Sequence, residues 1–319
     1  HYSCCVFHIK QFKTFANQTG FTYIWIAGFQ DLHESRKFLF MVVLLIYLVI
    51  ITGNLLVVSV VFSDSRLHSP MYFFLAHLSS SEIIFTTNIL PNFLNVLWED
   101  GGKMSVYGCF TQFYLCGSLA ATECFLLTVM SYDRYVAICK PLHYASIMKF
   151  SVCRQIAAWC WIGGFISLLT TLILVCQLHF CGLHFIDHFF CDFAPILDLS
   201  CSDTSVVKLE TSIFSSSVTL FPFMFITGTY IAIIITVVNM RSSTGRRKSF
   251  STCSSHLAIV SLYYGTLITV YVIPTRGKSK IVNKIVSLMY SIVTPLLNPI
   301  IYSLRNKKIK TAIRNVISN

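Results

Sequence analysis

Four groups of residues in this chain have the types and spacing to do chemistry. Glu82 and Glu123 each stand deep inside a long apolar run. A carboxylate is costly to bury there without a purpose or a partner, and acids so placed carry protons or ions or hold a polar core site. Asp133-Arg134-Tyr135 closes the run that holds Glu123, setting an acid beside a base at its end. Such a pair can be broken by a binding partner, although as a solvated helix-end pair it would contribute only ~0–1 kcal/mol. The tripeptide alone is common by chance, so its weight depends on its surroundings. Cys181, Cys191 and Cys201 recur at ten-residue spacing in an acidic stretch, and Cys109 stands at the start of the third apolar run. In an oxidising compartment such cysteines form disulfides, and four of them allow three connectivities. His184 and His188-Phe189-Phe190-Cys191-Asp192 have metal-ligand types. A disulfide at Cys191 would remove its thiolate, which makes metal binding the weaker reading.

The elements that must position these groups follow from composition. Of 319 residues 55% are hydrophobic and only 12% are charged, about half the charged share of a soluble globular protein. Lipid is therefore the expected solvent. The net charge of +11 is split among short basic stretches by long uncharged runs. That pattern suits basic loops at a membrane rather than a nucleic-acid face. Phe38–Phe62 carries no charge, and six further apolar segments follow: Pro70–Trp98, Val106–Tyr135, Gln155–Phe180, Thr211–Met240, Ser249–Thr275 and Ile285–Leu304. Each matches the ~20 residues that a helix needs to cross a bilayer, and none has the alternation of a membrane strand. Ser69-Pro70 is a good helix start, with a hydroxyl cap before a proline whose missing N–H costs nothing. The expected fold is an all-α integral membrane protein, a seven-transmembrane helix bundle. Residues 1–36 form an N-terminal segment, 37–304 the membrane domain and 305–319 a tail, with a short amphipathic helix over Asn306–Val316.

Arg66, Arg134, Lys140, Lys149, Arg154, Arg241, Arg246–Lys248 and the basic tail fall on one side of this arrangement, which the positive-inside rule assigns to the cytosol. Asp187, Asp192, Asp198 and Asp203 fall on the other, while Arg276, Lys278, Lys280 and Lys284 dissent. The majority places the N-terminus outside, together with Asn17-Gln18-Thr19, a glycosylation sequon. The chain opens at His1 rather than Met, with Cys4-Cys5 lacking an evident partner and no signal-peptide pattern ahead of the sequon, so its start reads as incomplete or misassigned. Inverted repeats of the kind many transporters carry are not visible.

With the segments in place, a set of motifs becomes legible in order. They are Gly53-Asn54, Pro70-Met71-Tyr72-Phe73-Phe74-Leu75, Met130-Ser131-Tyr132-Asp133-Arg134-Tyr135-Val136-Ala137-Ile138-Cys139-Lys140-Pro141-Leu142-His143-Tyr144, Lys248-Ser249-Phe250-Ser251-Thr252-Cys253-Ser254-Ser255-His256-Leu257 and Pro295-Leu296-Leu297-Asn298-Pro299-Ile300-Ile301-Tyr302-Ser303-Leu304-Arg305-Asn306. Carrying them, the chain resembles the odorant receptors of the rhodopsin-like G-protein-coupled receptor superfamily from about Asn17 to Arg314. Ser131 and Ser249 stand where the family usually has alanine, and Glu82 where many members have aspartate.

The resemblance implies a switch at Asp133, Arg134 and Tyr135, where Arg134 leaves its resting contacts to meet the G protein. Tyr230 and Tyr302 would line the opened cavity, and Asn298-Pro299 would permit a bend, since proline removes a backbone bond. Asn54, Glu82 and Glu123 would form a polar core, with sodium as its candidate ion and no other cofactor or metal. The disulfides implied are Cys109–Cys191 and Cys181–Cys201. Cys116, Cys124, Cys139, Cys153, Cys160 and Cys253 are left as ordinary thiols. Cys116, Gly117, Ala120 and Ala121 share a helix face. The family pattern adds Phe214, Ser215, Val218, Tyr264, Leu267, Ile268, Tyr271, Leu288 and Ser291 as ligand contacts. This wall is apolar with a few hydroxyls, and it lacks the acid that amine receptors place where Cys116 stands. It suits a small, uncharged volatile held by burial at ~25 cal/mol per Å2. The partners implied are the heterotrimeric stimulatory olfactory G protein, raising cyclic AMP, and membrane lipid, at the plasma membrane. The alternatives are a receptor for a non-odorant small molecule and a proton- or ion-coupled transporter using Glu82 and Glu123. An enzyme is disfavoured, because no nucleophile, nucleotide or metal motif stands in a plausible context.

Overall fold

The structure is a computed structural model that describes residues 22–29, 35–181, 184–272, 280–305 and 307–318. Asn17, Arg276, Lys278 and Asn306 lie outside the described residues, as do the side chains of Ile268, Tyr271 and Tyr302. The helices in chain order are α1 (Arg36–Ser63), α2 (Pro70–Glu99), α3 (Val106–Cys139), α4 (Tyr144–Ile147), α5 (Phe150–Ser167), α6 (Leu169–Cys176), α7 (Phe193–Leu197), α8 (Ser205–Val238), α9 (Ser243–Val272), α10 (Lys280–Arg305) and α11 (Lys307–Ser318). Short 3-10 turns cover Ser65–Leu67 and Pro141–His143.

Among the described residues five stretches are long and apolar enough to cross a membrane: Arg36–Ser63, Val106–Cys139, Phe150–Cys176, Ser205–Val238 and Lys284–Ile301. α2 and α9 are each 30 residues long but more polar. α2 buries Ser79, Ser81, Glu82 and Thr86, whereas α9 opens on Ser243-Thr244-Gly245-Arg246-Arg247-Lys248. Large apolar side chains such as Phe38, Leu45, Trp159, Phe221 and Ile235 lie exposed along the spans, as suits a surface solvated by lipid tails.

Some element ends differ from the hydropathy reading. α8 starts at Ser205 rather than Thr211, because the Asp203 carboxylate accepts from the Ser205 N–H at 2.9 Å and from its hydroxyl at 2.6 Å. These bonds cap the helix and hold the Asp203 carboxyl below the usual range. The fourth segment begins at Phe150, breaks at Leu168 and stops at Cys176 rather than Phe180. Beyond it, the His179 carbonyl accepts from the Cys201 N–H at 3.0 Å, and Phe180 bridges to Ser200.

The chain divides into two compact units. The first comprises residues 1–44, 88–118 and 165–216. It contains a three-stranded sheet, where the sequence reading had helices alone. β1 (Tyr23–Ile26) is central, antiparallel to β2 (Gly102–Ser105) and parallel to β3 (Phe185–Ile186). Tyr23-Ile24-Trp25-Ile26 is aromatic and β-branched, a composition that favours strands. Ile24 and Ile26 point into a core with Val96, Phe110, Ile186 and Ile196. The chain leaves β1 at Gly28, whose φ of +65° suits glycine and where a Cβ would meet Val96 Cγ1 at 2.5 Å. Phe29 then packs against the rings of Phe93 and Phe189. Arg36 pairs with Asp100 at 2.5 Å.

The second unit comprises residues 45–87, 119–164 and 217–319, around a core that includes Phe74, Leu75, Leu126, Leu127, Met130, Ile259 and Tyr263. Here α10 contains Pro295 and Pro299. A proline at 299 cannot donate to the carbonyl four residues back, at Pro295. Asn54 Nδ2 takes that carbonyl instead, at 3.2 Å. Gly53 makes the approach feasible, since a Cβ there would stand 3.2 Å from the Pro299 ring. On α11, Ile309 and Ala312 are buried while Lys310, Thr311, Arg314 and Asn315 are exposed.

Candidate functional site

In the second unit α3 brings its acid and base together at its C-terminal end. Asp133 is fully buried and the Arg134 side chain is 13% exposed, so this is not a solvated surface pair. Arg134 Nε donates to Asp133 Oδ2 at 2.9 Å, and Nη2 donates to the same oxygen. The other oxygen, Oδ1, accepts from the Tyr144 hydroxyl at 2.8 Å, presented by α4. Burial, then the adjacent Asp133 charge, pushes the Tyr144 phenol upward, which keeps its proton in place as the donor. A buried pair of this kind is costly to break from one side, because removing either partner leaves the other charge stranded. On α8, Tyr230 stacks on His256 of α9 at 17° and 5.9 Å, with a hydrogen bond between its hydroxyl and Nδ1. Tyr135 is half-buried beside Tyr132, and Lys140 lies over its ring.

The polar core lies in the same unit. Asn54, Glu82, Glu123 and Asn298 are all buried, at 0, 0, 5 and 2% exposure. Asn298 Nδ2 donates to Glu82 Oε1. Glu82 Oε2, Glu123 Oε1, Asn54 Oδ1, Asn298 Oδ1 and Thr294 Oγ1 are buried without a hydrogen-bond partner. Carboxyl, amide and hydroxyl oxygens such as these are hard donors, the type that a hard cation takes.

The ligand residues expected from sequence divide between the units. In the first, Cys116 accepts from Asn88 Nδ2 at 3.2 Å, Gly117 packs so close to Leu168 that a Cβ would stand 2.9 Å away, Ser215 is half-buried and the Phe214 ring is 38% exposed. In the second, Ala121, Tyr264, Leu267 and Ser291 are buried, and Ala120, Val218 and Leu288 are half-buried. The Ser291 hydroxyl donates to the Ser287 carbonyl of its own helix at 2.8 Å. A cavity of about 290 Å³ in this unit, lined by Ser63, Asp64, Arg66 and Asn315 among others, contains none of these residues.

Among the described residues two disulfides tie the first unit. Cys109 joins Cys191 across 82 residues, with Cα atoms 5.3 Å apart, and Cys181 joins Cys201 across 20 residues at 6.0 Å. Cys191 is thereby lost as a thiolate. Cys176 is a further free thiol beside the six singled out in sequence. Sequence reasoning missed Gln112, an amide in an apolar run. Its Oε1 accepts from the Cys191 N–H at 2.9 Å and its Nε2 donates to the Asn88 carbonyl at 2.7 Å. It also missed the roles of Tyr144 and His256, although both stand inside motifs it had marked.

The family model described as olfactory receptor matches residues 43–319. The chain belongs to the olfactory receptor family. Among its relatives is human olfactory receptor 6N1, 45% identical over 91% of this chain and 93% of its own length. Human olfactory receptor 11G2 is 43% identical over 96% of this chain and 89% of its own. Mouse olfactory receptor 5P68 is 44% identical over 93% and 95% respectively. As an olfactory receptor the chain is a membrane protein of receptor rather than enzyme type, with an odorant as ligand and a G protein as partner in general terms.

Proposed function

We propose that this olfactory receptor binds a small, mostly apolar, uncharged volatile and activates the stimulatory olfactory G protein, raising cyclic AMP. The observation that carries the reading is the buried Asp133–Arg134 pair at the end of α3, held through Tyr144. A receptor needs two alternative arrangements of a few elements, and a ligand shifts their balance only by its differential affinity for them. Arg134 held by Asp133 is the resting arrangement, and its release to a G protein is the active one. The stacked Tyr230–His256 pair joins α8 to α9, the helices whose displacement from α3 would open the docking cavity. The ligand residues carry few hydroxyls and no charge, which favours a neutral odorant over a cation or anion. They serve a non-odorant small molecule less well only in so far as family membership points to odorants.

The α1, α2, α3, α5–α6, α8, α9 and α10 stretches form a seven-span bundle in this reading, with the N-terminus outside, Asn17 glycosylated and α11 lying on the inner membrane surface with Lys310 and Arg314 toward headgroups. α2 and α9 cross despite their polarity, because the polar groups of α2 face the protein interior and the basic end of α9 reaches the cytosol. The orphaned oxygens of Glu82, Glu123, Asn54, Thr294 and Asn298 would hold a sodium ion. That ion would supply positive charge between two acids and favour the resting state.

The test is expression with the olfactory G protein and a cyclic AMP readout across a panel of volatiles. Arg134→Ala should abolish the response per receptor that reaches the surface, with surface staining reduced because Asp133 is left buried and unpaired. A surface-expressed chain that stays silent to the panel but conducts ions in a Glu82-dependent manner would support the transporter instead.

A further inference from the structure

Tyr263 of α9 is 1% exposed, among the largest side chains buried so completely. Its hydroxyl donates to the Ala120 carbonyl at 2.8 Å and lies 3.2 Å from Cys124 Sγ. Both partners belong to α3, one turn apart, so the contact crosses from α9 to α3 within the second unit. A phenol has one proton to give. With that proton directed to the carbonyl, the Cys124 thiol is the group left to donate to the phenol oxygen. Phenylalanine would fill nearly the same volume, so what the hydroxyl adds is the cross-helix bond. Ala120 and Ala121 on α3 and Tyr264 and Leu267 on α9 flank this point, and all four are ligand residues in the reading above. Seven residues back along α9 stands His256, packed on Tyr230. The bond thus stands on α9 between the ligand residues and the switch.

We propose that Tyr263 is a positioning residue for the switch, its hydroxyl latching α9 to α3 at Ala120 and holding the resting conformer. The proposal rests on the receptor reading, in which α9 leaves α3 on activation. A ligand pressing on Ala121 or Leu267 would open the latch by separating the two helices at that level. A single buried hydrogen bond present in one conformer and absent in the other shifts their ratio by about threefold to tenfold.

Tyr263→Phe keeps the ring and removes the bond. It should raise odorant-free cyclic AMP per surface receptor by about threefold to tenfold. It should also speed N-ethylmaleimide labelling of Cys253, a buried thiol of α9, read by peptide mass spectrometry in membranes without G protein. Faster labelling with no cyclic AMP change would keep the latch and sink the G-protein reading. Unchanged labelling at normal surface level would overturn the latch. Should Tyr263→Phe fail to reach the membrane, Tyr263→Leu, which also lacks the hydroxyl that bonds Ala120, decides by the same labelling, and an unchanged rate counts against the latch.

Discussion

Replacing Tyr144 by phenylalanine should raise the receptor's signal in the absence of odorant. Each oxygen of the buried Asp133 carboxylate has its own tether: Arg134 holds Oδ2, and the Tyr144 hydroxyl holds Oδ1 at 2.8 Å. A hydrogen bond to a charged group contributes roughly 1.5–3 kcal/mol net. Tyr144 is half-buried, so water can replace part of the lost bond and the lower figure, about 1.5 kcal/mol, applies. On the proposed receptor reading the tether belongs to the resting arrangement alone. Its loss therefore moves the balance toward the active one by about tenfold, since every 1.4 kcal/mol is a factor of ten. An active population of ~1% at rest would become ~10%. The assay is cyclic AMP accumulation without odorant, normalised to surface receptor by flow cytometry, with Arg134→Ala setting the floor. Basal signal at or below that of the unmodified receptor, at matched surface level, would refute the tether. So would a fall in basal signal that merely tracks a fall in surface level, because Tyr144 would then be packing and nothing more.

Gly28→Ala should cost about 1–3 kcal/mol, since the φ of +65° and the 2.5 Å approach to Val96 both oppose a Cβ. Surface staining should drop, and undiminished staining would mean that β1 does not dock as described. Cys109→Ser opens a bond that spans 82 residues and should cost about 2–5 kcal/mol. Loss of odorant response should accompany new maleimide reactivity at Cys191, and a fully responsive variant would contradict the role given to this tie. Asn54→Ala strands the Pro295 carbonyl, at about 1–3 kcal/mol, so the purified receptor should melt several degrees lower. Equal melting would show that the carbonyl finds another donor.

The motifs and five of the seven expected spans were legible in the residues alone because their physics is local to the chain. Lipid demands apolar runs of sufficient length, and a charge-free Phe38–Phe62 is visible without any partner. Asp133 and Arg134 are adjacent, so their pairing needs no fold to bring them together. Hydropathy was less informative at element ends, where single bonds decide. The Asp203 cap starts α8 six residues before the apolar run does. It also did not show β1, because four residues of strand-favouring composition become a strand only by pairing with residues 102–105 and 185–186.

What the tertiary structure decided is which polar group meets which across long separations. Asn54 lies 241 residues from Pro295 and Asn298 lies 216 from Glu82, yet each pair bonds directly. The meeting depends on helix rotation and on the missing proline N–H, neither of which a one-dimensional pattern records. Tyr144, His256 and Tyr263 are the clearest cases. Tyr144 and His256 stand inside marked motifs with no role assigned and Tyr263 stands outside them, and each gains its partner only once packing in the second unit turns its polar atom toward Asp133, Tyr230 or Ala120. Buried polar atoms must find partners, and only the packed chain determines which ones are within reach.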